Sequence, residues 1–225
     1  DALMEFYARG SRTEGFEGGI RDALSAVLAS PHFLYRAETA GADGGALLAD
    51  NELASRLAFF IWSSLPDEEL LELAEANRLS DPEVYVAQVE RMLADPRAET
   101  LVTNFAMKWL NLDTLDEVEP ERGFSDEMRR NFETEVVLFM KSVLLEDRNI
   151  VDLLKGDWTF LNEDLARHYG VEGVRGPQFR RVALRDERRW GMLGKGAVLL
   201  RTSYPDRTSP VLRGAWVLDK LVGTP

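Results

Sequence analysis

Met128, Phe132, Val136, Phe139 and Val143 follow Ser125 at intervals of three and four residues. That spacing lays five apolar side chains along one stripe of an α-helix over roughly 126–146, with Ser125 at its N-cap. The same period recurs along most of the chain. It predicts the end of a helix over 2–9 and a second helix over 17–29. Pro31 forces a break at Ser30. A strongly apolar helix follows over 51–64, through Leu53, Leu57, Phe60, Ile61 and Trp62. A short acidic helix runs from Asp67 to Ala76. Asp81-Pro82 opens the next, with Val86, Val89 and Leu93 inward. Residues 97–112 continue through Leu101, Phe105, Trp109 and Leu112.

Further on, Ile150 to Leu154 make one more turn. Asn162 caps a helix over Glu163 to Tyr169 that Gly170 ends. Residues 188–200 read as helical despite Gly191, Gly194 and Gly196. Ser209-Pro210 begins a closing helix whose apolar side is Val211, Leu212, Ala215, Trp216 and Leu218, and Gly223 ends it. Only Phe179 to Leu184 alternates enough to read as extended. Loops are expected over the glycine-rich 40–46 and the acidic 113–124. The fold class is therefore all-α, an irregular multi-helix bundle with at most a short extended segment. The division expected is 1–45 as the end of an N-terminal helical domain, 46–174 as the main acidic domain, and 175–225 as a basic segment packing on it.

Charge divides the chain the same way. Residues 175–225 hold 11 Lys and Arg against 4 Asp and Glu, whereas residues 1–174 hold 16 against 35. The net of -12 argues against nucleic acid as a partner. There is no Cys, which excludes disulfides, thiolate metal sites and covalent haem within this chain. No apolar run reaches membrane-spanning length. The chain starts inside a helical pattern and reads as part of a longer protein, so the lack of a signal peptide decides nothing.

The basic quarter carries the main site candidates: Arg189, Arg201, Tyr204, Arg207 and Arg213. Guanidinium groups beside a phenol suit an anion or a partner surface. The blander account is an internal clamp on the chain's own acidic helices. His32, at the Pro31 break, and Trp216 are candidates for lying near a haem. His168, at the end of a short helix, interacts well with the helix dipole when partly cationic. Glu135, at the edge of its stripe, serves either as a buried acid or base or as the partner of an arginine such as Arg56. Two histidines and no metal-binding helix motif leave no metal site to nominate.

Four blocks, in order, carry a resemblance. They are Ala29 to Glu38 (ASPHFLYRAE), Glu52 to Asp67 (ELASRLAFFIWSSLPD), Phe160 to Gly170 (FLNEDLARHYG) and Ser209 to Leu218 (SPVLRGAWVL). Together they resemble the planctomycete-type domains of unknown function found in exported proteins with c-type cytochrome domains. The resemblance implies an exported location and cytochrome or other domains of the same parent protein as partners. It implies no cofactor held by this chain itself, with haem c belonging to a missing domain or a partner. The function it favours is a helical, non-catalytic portion of a redox protein that packs on a haem domain. A polymer-active hydrolase or binding enzyme, and a purely structural or assembly module, stand as alternatives.

Overall fold

The computed structural model describes residues 2–35, 48–118 and 125–224. Its longest regular rod in the centre of the chain is helix α7, Asp126–Leu144. Ser125 Oγ accepts the Met128 N–H at 3.2 Å, as the N-cap reading requires. Phe132, Val136, Phe139, Met140 and Val143 of this helix are buried against residues from both the acidic and the basic parts of the chain. Beside it lie α8 (Asp152–Lys155), β1 (Trp158–Leu161), α9 (Glu163–Tyr169) and β2 (Arg180–Ala183). The two strands pair antiparallel, with Trp158 opposite Ala183 and Leu161 opposite Arg180. The extended segment expected near 179–184 is therefore one edge of a two-stranded ribbon whose other edge carried no clear sequence signal. The chain is mostly helical.

A second core cluster is built by α3 (Asp50–Trp62), α4 (Glu68–Glu75) and α5 (Pro82–Ala94). Trp62 anchors it, donating Nε1–H to Met92 O at 3.0 Å. Arg91 grips Asp67 through two bonds of 2.7 and 3.1 Å. The inner face of α5 is partly the expected one: Val89 and Leu93 pack against the core, but Val86 is exposed, and Gln88 and Met92 are buried beside them. Gln88 is held there by a 2.7 Å bond to Glu69.

Residues 96–109 are also more irregular than their pattern. A 3-10 turn (Pro96–Ala98) and a wide π-type turn (Leu101–Ala106) precede α6 (Met107–Trp109). The wide turn changes the phase. Val102, Ala106 and Leu110 take the core positions. Phe105 and Trp109 are left on the surface, stacked at 6.2 Å.

The helix expected over 188–200 is broken at Gly191, whose φ is +56°. A Cβ there would collide with the Leu154 carbonyl, so only glycine lets the chain pass this close. What remains is 3-10 turns at Glu187–Arg189 and Met192–Gly194, then α10 (Gly196–Arg201). The last helix, α11, spans Pro210–Val217, is capped by Ser209 and runs into a wide turn, Leu218–Val222, before Gly223. Of its expected apolar side only Trp216 is buried. Val211 is 79% and Leu218 51% exposed.

At the other end, α1 (Ala2–Leu28) bends at Glu14–Gly15 into two arms that meet at Gly10 and Gly18. Ser30 is extended, as Pro31 demands, and α2 (Pro31–Leu34) follows. The loop expected at 40–46 and the Pro120–Gly123 part of the acidic loop fall outside the described residues. One buried cluster, from Val102 to Trp216, joins residues on both sides of the expected division at 174, so the basic segment shares its core with the acidic part. Among the described residues no helix is long and apolar enough to cross a membrane.

Candidate functional site

Glu135 is 1% exposed on α7. Thr159 of β1 donates to its Oε1 at 2.5 Å, and Tyr169 of α9 donates to its Oε2 at 2.6 Å. Tyr169 Oη in turn accepts the Gly196 N–H at 2.8 Å. Glycine is needed at 196 because a Cβ would strike the Phe132 ring and the Tyr169 hydroxyl. Lys195, 1% exposed, donates to Trp158 O at 3.2 Å and lies 4.3 Å from the centre of the Phe139 ring.

Burial dominates the electrostatics. It pushes the Glu135 carboxyl up, with Lys195, Thr159 and Tyr169 pulling it partly back. Burial holds the Lys195 ammonium down at about 8, opposed by attraction to Glu135. Burial and the neighbouring Glu135 raise the Tyr169 phenol well above its ordinary value. Among the described residues no bond joins Glu135 to Arg56; it faces two hydroxyls, the Gly196 N–H and the charge of Lys195.

Tyr169 also forms one wall of a surface cavity of about 330 Å³. Its ring stacks on Phe132 at 6.2 Å, and the Arg189 guanidinium lies over it at 4.1 Å. Leu199 and Leu200 of α10 supply apolar wall. The loop between α10 and α11 closes the rim with Tyr204 and Arg207, where Arg207 sits 4.8 Å over the Tyr204 ring. A bridge between Ser203 and Thr208 shapes that loop. His168 stands at the edge, 5.5 Å from Phe132. Burial, then the Arg189 charge, lower its pKa, so the neutral imidazole is favoured over the partly cationic one expected from the helix dipole.

The five basic-quarter candidates thus divide. Arg189, Tyr204 and Arg207 line one cavity. Arg201 lies elsewhere, donating Nε and Nη2 to the Asn111 side-chain oxygen at 3.2 and 2.6 Å, in the amide orientation its neighbours require. Arg213 reaches Thr202 Oγ1 at 3.4 Å. Among the described residues the expected clamp on the acidic helices is not found for this group. The sole carboxylate contact is Arg207 with its neighbour Asp206, at 3.4 Å and exposed. Arg91, Arg97 and Lys141 pair instead with Asp67, Asp95 and Glu99, while Arg181, of the basic segment but outside this group, reaches Glu146 just after α7 at 2.6 Å.

The two residues expected near a haem are not alike. His32 is exposed on α2. Trp216 is a core residue, 7% exposed, with its indole N–H committed to Leu110 O at 2.9 Å, which removes it from any facing surface. Trp62, Trp158 and Trp190 likewise spend their N–H groups inside the fold. The sequence reading missed Thr159 and Lys195. A lone Lys between two glycines, in a stretch read as helix, gave no sign of burial. Among the described residues no group of three or more His, Asp or Glu is placed to hold a metal ion.

Three family models match the chain. That described as PSD4, protein of unknown function (DUF1592), covers residues 48–171, more than half of the sequence. PSD5, protein of unknown function (DUF1595), covers residues 1–38, and PSCyt3, protein of unknown function (DUF1588), covers residues 189–225. No curated protein matches, and no solved structure matches.

Proposed function

The chain belongs to the PSD4 (DUF1592) family, one of the planctomycete-type cytochrome-associated domains, and from that premise we propose that it is a non-catalytic docking portion of an exported redox protein. Its partner in this reading is a domain carrying haem c. The surface that carries the reading is α11 with the wide turn after it. Trp216 plugs this element into the core, while Val211, Leu212, Leu218 and Val222 stay exposed on it. Four large apolar side chains left in water on one short element are the kind of surface that marks an interface. The element also lies within the stretch matched by the PSCyt3 model.

The hydrolase alternative has less support. Glu135, its best acid, is sealed and fully hydrogen-bonded rather than open to a cleft. A reduced haem c absorption spectrum of the intact gene product tests the proposal. Covalent haem, with a spectrum that changes when Val211 and Leu218 are both replaced by Asp, is the expected result. An intact product without haem would sink it.

A further inference from the structure

The cavity between Tyr169 and Tyr204 raises a separate question, since its two cations face it with little to hold. Arg189 makes no side-chain hydrogen bond or ion pair among the described residues, and its guanidinium carbon lies 4.1 Å over the centre of the Tyr169 ring. A guanidinium held over a ring with no other partner has its N–H groups available to a bidentate acceptor. Arg207, also lining the cavity, has the exposed Asp206 as its ion-pair partner among the described residues and lies over the Tyr204 ring. The lining also has an apolar part: Phe132, Leu199 and Leu200, with the rings of the two tyrosines. The Tyr169 hydroxyl is already spent on Glu135 and Gly196, so this residue offers a ring and no donor.

We propose that this cavity binds a monocarboxylate carried on a flat apolar body. The carboxylate meets Arg189 in a two-point bond, with Arg207 adding charge from the rim. The flat body lies against Phe132, Leu199, Leu200 and the Tyr204 ring. Asp206 disfavours a second negative charge at the rim, which selects a monoanion over a dianion. His168, held toward its neutral form, adds no strong attraction for anions of other shapes. The site is independent of α11 docking, since Val211 and Leu218 do not line it.

Calorimetric titration of the chain with 2-naphthoate tests this, with 2-naphthamide and inorganic sulfate as comparison probes. The expected result is a one-to-one complex with 2-naphthoate and at least roughly tenfold weaker binding of the amide and of sulfate. Arg189→Gln should weaken 2-naphthoate binding by roughly tenfold or more. Arg207→Gln, on an exposed loop, should weaken it by a smaller factor with the fold intact, which keeps the test open if Arg189→Gln fails to fold. Arg201→Gln, outside the cavity, should leave binding unchanged. Equal affinity for acid and amide, equal affinity for sulfate, or wild-type affinity in both cavity arginine variants would overturn the proposal. So would the absence of binding at about 10 mM probe.

Discussion

The Tyr169 hydroxyl donates a 2.6 Å hydrogen bond to Glu135 Oε2, and so ties the wall of the Arg189 cavity to the buried middle of α7. The same oxygen accepts from Gly196 at the start of α10. One phenol therefore holds three elements: α7, α9 and α10.

Tyr169→Phe should destabilise the fold by about 1–3 kcal/mol, because it removes the donor to the buried Glu135 Oε2 and the acceptor of the Gly196 N–H. Denaturant unfolding of the two proteins measures it. A variant within experimental error of the parent would mean that these groups find other partners.

Gly196→Ala should cost about 1–3 kcal/mol as an overpacking change, with Phe132 and Tyr169 pushed from their positions. Thermal melting reads the loss. An unshifted midpoint would show that α10 has room to move away from α7.

Lys195 predicts a specific pH dependence. Its folded pKa is held at about 8 against an ordinary 10.5. Between those values the unfolded chain binds the proton more tightly, so stability rises with pH across that window. Below it both states are charged, and the folded state bears the full cost of a buried cation. The rise should be about 2–3 kcal/mol from pH 8 to pH 10. Lys195→Met should flatten it, as seen by urea unfolding at several pH values. Glu135 acts with the opposite sign in the acid range. Its raised folded pKa makes the folded state bind the proton more tightly there, so that contribution is lost as pH climbs. An equal alkaline rise in the methionine variant would contradict the assignment.

How much of this was legible depended on what set each position. Where a cap or an apolar stripe decides locally, the reading carried through: Ser125, Asn162, Ser209 and Gly170 each stand where their chemistry predicts. Where a distant contact decides, it failed. Val86 is exposed, while Gln88, bonded to Glu69 nineteen residues away, is buried. The 188–200 stretch broke because Gly191 runs against Leu154, which no local pattern records. The wide turn at Leu101–Ala106 moved Phe105 and Trp109 outward without any change in residue type.

The candidate site was half legible. Clustering of charge marked Arg189, Tyr204 and Arg207, but not that Arg201 and Arg213 would turn to Asn111 and Thr202. Glu135 was marked by its stripe-edge position. Its partners, Thr159 and Lys195, lie twenty-four and sixty residues on, and only the folded chain brings them together.

The proposed docking surface on α11 separates binding from folding. Val211 and Leu218 are exposed, so replacing each by Asp should change stability by no more than about 0.5 kcal/mol. Calorimetric titration of the chain against a separately produced haem c domain, taken from a polypeptide with the same three family domains, is the most direct measurement. The account predicts saturable binding that falls at least roughly tenfold in the Val211→Asp, Leu218→Asp double variant while the melting temperature holds. Absence of binding, or binding that the double variant leaves unchanged, would contradict it.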